Sequence, residues 1–215
     1  LFAGKARQAD FGDALRAVIA RWHEDAGATR VTLVLEEIDT LRGGLAHNLL
    51  DQDARAALLR RINAGEFDLV LATPPCNTFS RAVFREGPGP KPIRDHTWPR
   101  GFPWLEPDAR ERAEEGNILM DFAVDSLAAA AAAPRVDPWR CTRGWLEFPE
   151  DLGRAHLGVP ASIWQRDDLR AIPGLIRHGI FQCEWAPLDY SKPTGFITDV
   201  MNFFEGQVSY PGWPS

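Results

Sequence analysis

Cys76 follows two prolines in the run Leu69-Val70-Leu71-Ala72-Thr73-Pro74-Pro75-Cys76-Asn77-Thr78-Phe79-Ser80. The apolar residues before it read as a short strand. Pro-Pro removes two backbone donors and fixes two φ angles, so the chain around the thiol is held rigid. At the carboxyl edge of a parallel sheet, where open α/β folds gather ligands and chemistry, Cys76 becomes a candidate nucleophile. A lone free cysteine is more often a small buried hydrophobe; the proline pair is what turns the reading toward chemistry.

Three further places carry groups suited to a ligand. Phe2-Ala3-Gly4 reads as the tail of a strand entering a glycine turn ahead of a helix, an arrangement that offers amide donors and a positive dipole end to an anionic group. A plain strand-to-helix connection reads the same way. Glu37, in Glu36-Glu37-Ile38-Asp39, stands at a strand end where nucleotide-type folds place an acceptor for ribose hydroxyls; it reads equally as a solvated acid. Asp51 stands directly before a helical pattern. An N-cap there is worth about 1 kcal/mol over alanine, and a contact to the exocyclic amine of an adenine is compatible with the same position.

Residues 81 to 107 are too many for a mere connection, and six prolines from Pro88 to Pro107 disfavour regular structure. Arg81, Arg85, Lys91, Arg94 and Arg100 outweigh Glu86, Asp95 and Glu106, so phosphates are expected to lie along this loop. Trp98 and Trp104 can stack on bases or pin the loop to the core, and for each one singly the second is the commoner role.

The elements that must hold these residues follow from pattern. Leu15, Val18, Ile19, Trp22 and Ala26 have helical spacing. Val31 to Leu35 is a continuous β-prone run, as expected of a strand covered on both faces. Residues 52 to 64 form a helix stopped by Gly65, and a strand from Phe67 to Thr73 delivers Cys76. Pro107 suits the first turn of a long helix that runs through the alanine tract 128 to 133 and stops at Pro134. A later strand ends at Glu147, in Trp145-Leu146-Glu147-Phe148-Pro149, and Glu150-Asp151 make a capped turn. The spacing predicts a helix over 161 to 176, with Ile163, Trp164, Leu169 and Ile172 inward. Ile180 to Cys183 and Gly195 to Phe204 are expected to pair antiparallel at the sheet edge.

At 215 residues the chain reads as a single domain, 1–215, with room for a substantial core. No apolar run approaches the roughly 20 residues of a membrane span, and no signal peptide opens it, so an intracellular, membrane-free setting is expected. The abrupt start on Leu-Phe-Ala-Gly leaves room for residues upstream. Cys76, Cys141 and Cys183 are odd in number, widely spaced and free of any CxxC, which argues against a disulfide framework and a metal site. A net charge of −6 argues against binding nucleic acid through the whole surface.

Taken in order, Phe2-Ala3-Gly4, Glu37-Ile38-Asp39, Asp51, Pro74-Pro75-Cys76 and Glu147-Phe148-Pro149 resemble the S-adenosylmethionine-dependent DNA cytosine-5 methyltransferases across most of the chain. The most specific part is Pro-Pro-Cys followed by Phe79-Ser80, since amino-methylating relatives carry an aromatic residue at the place of Cys76. The resemblance implies an α/β Rossmann-like methyltransferase fold: a mostly parallel sheet, an antiparallel edge pair, and helices on both faces. It implies S-adenosylmethionine as cofactor, held by Phe2, Ala3, Gly4, Glu37, Ile38, Asp51 and Pro74. It further implies a catalytic set of Cys76, Glu147, Arg81 and Ser80. The Cys76 thiolate would add to carbon 6 of cytosine, Glu147 would hydrogen-bond the ring nitrogen at position 3, and Arg81 and Arg85 would favour the thiolate. Arg85, Lys91, Arg94, Arg100 and Lys192 are then the expected nucleic-acid contacts, and the target base must leave its helix to reach the site.

The chain departs from the family in places. Gly4 is followed by Lys5-Ala6-Arg7 rather than further glycines, Phe148 stands where an asparagine is common, and only Lys192 represents the basic motif expected near it. No segment is long enough for a separate target-recognition domain. Two alternatives therefore stand beside DNA methylation: an RNA cytosine-5 methyltransferase, and an inactive relative that binds cofactor or nucleic acid.

Overall fold

A computed structural model of the chain describes residues 2–3 (as backbone), 13, 16–21, 23–24, 32–38, 43–135, 141–181 and 192–200. It is an α/β protein built on one mixed sheet of β1 (Phe2–Ala3), β2 (Leu69–Thr73), β3 (Arg143–Pro149), β4 (Ile176–Phe181) and β5 (Pro193–Thr198), in the order β1-β2-β3-β5-β4. β1 and β2 are parallel, as are β2 and β3, whereas β5 runs antiparallel to both β3 and β4. The expectation of a mostly parallel sheet is thus corrected to a mixed one. The physical reason is that β5 enters between β3 and β4 and runs against both, so parallel pairing stops at β3. The expected edge pair is there, beginning at Ile176 rather than Ile180 and at Pro193 rather than Gly195.

Two helices carry most of the remaining order. Helix α1 (Gln52–Asn63) starts at Asp51, whose carboxylate accepts the Ala54 N–H at 2.9 Å, and it stops before Gly65, where φ is +73°. Leu58 and Ile62, one turn apart, are its buried stripe. Helix α2 (Pro107–Ala132) has Pro107 in its first turn, where the missing N–H costs nothing. Its alanine-rich second half lies flat on the sheet: Leu127 and Ala130 approach Gly144 so closely that a Cβ there would already be in contact.

Strand β3 alternates in burial, and its inner residues Leu146 and Phe148 are within 1 % of fully buried. With Val70 and Ala72 of β2 they form the floor of the core under α1 and α2. Each such large side chain contributes about 1.5 to 3 kcal/mol by leaving water. Both α1 and α2 gather on this face. Residues 16–21 and 23–24 are helical, as the spacing from Leu15 to Ala26 predicts.

Two predicted elements do not form. Residues 32–38 are in no strand, and Val34 is 88 % exposed; β-branched residues do not make a strand without a ladder partner. The helix expected over 161 to 176 is broken into a 3-10 turn at Ile163–Gln165, a four-residue helix α3 (Asp167–Arg170), and then β4. Ser162 caps the first piece through the Trp164 N–H, and Pro173-Gly174 prevents any continuation. Ile163, Trp164, Leu169 and Ile172 are nonetheless all buried.

Candidate active site

Parallel pairing puts Ala72 of β2 beside Leu146 of β3, so the residues that follow on both strands reach the same edge of the sheet. β2 ends at Thr73, and Pro74-Pro75 carry the chain over that edge to Cys76. The turn beyond is closed by the Phe79 N–H donating to the Cys76 carbonyl at 3.0 Å. Buried Phe79 meets Phe148 edge-on, their ring centroids 5.6 Å apart, which ties the cysteine turn to β3. Cys76 is half-buried and free of any disulfide.

Glu147 lies between Leu146 and Phe148 and therefore turns away from the α2 face. It does not end its strand as expected, because pairing with β5 extends β3 to Pro149, opposite Thr194. Lys192 immediately precedes β5, whose Pro193 carbonyl accepts the Glu150 N–H at 3.2 Å. Cys76, Glu147 and Lys192 act on one another electrostatically. Burial pushes the Cys76 thiol up, the Glu147 carboxylate pushes it further, and Lys192 opposes both. Burial likewise pushes the Glu147 carboxyl above its ordinary range against the pull of Lys192. Loss of the Glu147 charge would remove that repulsion on a Cys76 thiolate.

Other expected site residues have local partners. Asp51 is an N-cap. Arg81 donates to the carbonyls of Leu152, Gly153 and Arg154 at 3.3, 2.8 and 2.6 Å; it pins that loop, and the cation acting on Cys76 is Lys192. Ser80 accepts the Ala82 N–H and caps a 3-10 turn over Arg81–Phe84. Pro74 is buried and Ile38 packs on the core. It is Glu36, rather than Glu37, that grips Arg61 of α1, with two bonds at 2.7 and 2.8 Å; Glu37 is half-buried. Phe2 and Ala3 form β1, and Gly4 lies outside the described residues.

The loop after Cys76 holds fewer available cations than its sequence suggests. Arg94 is fully buried, donating to Pro99 O at 2.9 Å, Asn117 Oδ1 at 2.7 Å and Ala113 O at 2.7 Å, so it does not reach a phosphate. Burial pushes its guanidinium down to about 10. Arg100 is paired with Asp121 at 2.9 Å, and Lys91 donates to Gly87 O at 3.1 Å. Arg85 is exposed.

Sequence reasoning missed a second charged pair. Glu150, buried, accepts from Arg177 of β4, whose guanidinium lies 4.5 Å above the Trp164 ring. No alternation in β4 signals this: the strand is half-buried from Arg177 to Phe181, and apolar Ile176 is its exposed residue. Glu150 also lines a small cleft with Phe79, Arg81, Phe148, Asp151 and Ser162 among others. Neither Cys76 nor Glu147 lines it. Among the described residues no three His, Cys, Asp or Glu side chains gather as a metal site, and no helix is long and apolar enough to cross a membrane. No protein-family model matches the chain, and neither a curated protein nor a solved structure matches it significantly.

Proposed function

We propose that the chain is a catalytic domain that transfers a methyl group from S-adenosylmethionine to carbon 5 of cytosine in DNA. The observation that carries this reading is that Cys76 follows the carboxyl end of β2, which pairs parallel with β3, the strand of Glu147, and that Glu147 and Lys192 both act electrostatically on the thiol. A Rossmann-like methyltransferase fold is part of the proposal, supported by the parallel run β1-β2-β3 and the antiparallel pair at one edge.

The residues present fit the cofactor. Ala3 pairs with Thr73, so β1 ends at the same edge as Pro74-Pro75-Cys76. S-adenosylmethionine, when bound, supplies the electrophilic methyl. The chain's own groups do the rest. The Cys76 sulfur bonds to carbon 6 of the cytosine, the double-bond electrons move toward carbon 5, and negative charge builds toward the ring nitrogen at position 3. A protonated Glu147 donates a hydrogen bond to that nitrogen, a contact that strengthens as the charge grows; positioned acids of this kind contribute about 10² to 10⁴ in rate. Once carbon 5 carries the methyl, loss of its proton to solvent base and departure of the Cys76 thiolate restore the aromatic ring.

The test is transfer of isotopically labelled methyl to mixed-sequence DNA and, in parallel, to RNA. Label in DNA that vanishes in Cys76→Ala is the expected result. Label in RNA alone contradicts the DNA assignment, and label that survives the substitution contradicts the mechanism.

A further inference from the structure

The loop that follows the cysteine turn ends in an exposed aromatic cluster. Trp104 is 67 % exposed and Trp98 44 %. Phe102 and Trp104 are stacked, 4° from parallel with centroids 5.1 Å apart, and Trp98 meets Trp104 edge-on at 6.3 Å. Two exposed tryptophans, with half-buried Phe102 stacked on one of them, leave apolar ring surface in water, which is costly unless something covers it.

Their backbone is not loose. The Phe102 N–H donates to Ile93 O at 3.0 Å, the Gly101 N–H to Trp98 O at 3.1 Å, and Asp95 Oδ1 accepts the N–H groups of Thr97 and Trp98. Asn117 of α2 donates to Arg100 O at 2.9 Å. Buried Arg94 ties the same loop to the cysteine turn, its guanidinium 4.0 Å above Phe79. The rings are thus preorganised and coupled to the segment that presents Cys76.

Two arginines flank them. Arg110 donates to Leu105 O at 2.9 Å, next to Trp104, and Arg100 stands between Trp98 and Phe102 in the chain with a 60 % exposed side chain. This is the composition of a single-strand site: aromatic faces for unpaired bases with a few cations for the connecting phosphates. A duplex offers no open base face, so its binding draws mainly on phosphate contacts. Among the described residues of this loop Arg94 is buried and Arg100 meets a phosphate only in competition with Asp121, so stacking carries more of the binding than charge does.

We propose that Trp98, Phe102 and Trp104 form a stacking platform for unpaired bases, and that single-stranded DNA is the form of DNA this protein binds. The inference rests on the DNA reading above and deepens it, since a target base in a single strand does not have to be pulled from a helix.

The test uses fluorescence anisotropy of one dye-labelled mixed-sequence oligonucleotide as single-stranded DNA, as duplex and as RNA, at two salt concentrations. The wild type is expected to bind the single DNA strand most tightly, with shallow salt dependence. Trp104→Ala and Trp98→Ala are each expected to weaken it about tenfold or more, and Trp104→Phe, which keeps a stacking face, to restore most of it. Duplex binding as tight as single-strand binding overturns the proposal, as does indifference to both alanine variants; RNA bound more tightly than DNA overturns its choice of partner. Methyl transfer in the same samples separates the two claims. Tryptophan-dependent strand binding without transfer sinks the methyltransferase reading and leaves the platform. Transfer to DNA that ignores both tryptophans sinks the platform and leaves the enzyme.

Discussion

The guanidinium carbon of Arg94 lies 4.0 Å above the ring of Phe79, and the same side chain donates to Asn117 and to the carbonyls of Ala113 and Pro99. One buried cation thereby joins the loop after Cys76, helix α2 and the cysteine turn. Gly116 makes room for it, since a Cβ there would stand 3.2 Å from Arg94 Nη2 and 3.1 Å from Thr78 Oγ1. Arg94→Met strands three acceptors, each costing about 1 to 3 kcal/mol when buried and unmet. A loss of about 3 kcal/mol or more in urea unfolding is expected. Arg94→Lys recovers little of it, because an ammonium does not reproduce the planar fork. An unchanged unfolding midpoint contradicts the hub.

Glu147 and Lys192 set the reactivity of Cys76 in opposite directions. Glu147→Gln removes a negative charge near the sulfur, so the thiol is expected to ionise at lower pH. Lys192→Met removes the favourable charge, and ionisation moves to higher pH. The rate of iodoacetamide alkylation at Cys76 against pH, followed by mass spectrometry of its peptide, reads both shifts without any methyl transfer. Shifts of the same sign in the two variants contradict the arrangement.

Arg81 is expected to act on structure. Its three bonds to the carbonyls of residues 152–154 hold that loop against the 3-10 turn. Arg81→Ala is expected to speed amide exchange in residues 151–158 and to cost about 1 to 2 kcal/mol. Alkylation of Cys76 should keep its pH profile. A changed profile means that Arg81 reaches the thiol after all.

Asp121 bridges Arg100 and Arg166 at 2.9 and 2.6 Å. Burial alone raises its carboxyl, but the two arginine hydrogen bonds prevail and hold it below the usual aspartate range. A depressed carboxyl contributes stability that is present above its unfolded pKa and is lost as pH falls through the folded one. Asp121→Asn is therefore expected to lower the melting temperature at pH 7 and to flatten its decline as pH falls below about 4. Because the group is partly exposed, the effect is about 1 kcal/mol. An acid limb as steep as in the wild type contradicts this role.

Elements written in local chemistry were legible. Asp51 and Gly65 bound α1, Pro107 and Pro134 bound α2, and the apolar run before Pro74 marks β2. Properties set by distant partners were not. Residues 32–38 have strand composition and no ladder, and residues 161–176 have helical spacing that Pro173-Gly174 and the pairing of β4 override. At the site, the end of β2 pointed to Cys76, whereas Glu147, read as a strand end, lies inside β3. Counting charges along the loop could not tell a solvated arginine from Arg94, two of whose three acceptors lie on helix α2. Trp98 and Trp104, each read singly, favoured the role of core anchor, and both are exposed.

The central claim is a covalent bond between Cys76 and carbon 6 of cytosine. An oligonucleotide carrying 5-fluorocytosine tests it most directly, because a fluorine at carbon 5 cannot leave as a proton does and the sulfur cannot then be expelled. The protein is incubated with this DNA and S-adenosylmethionine, digested, and the cysteine peptides are weighed. The account predicts a stable adduct on the peptide that contains Cys76, absent in Cys76→Ala and absent without S-adenosylmethionine. Labelled methyl transferred to ordinary DNA with no adduct at Cys76, or an adduct on Cys141 or Cys183 instead, contradicts it.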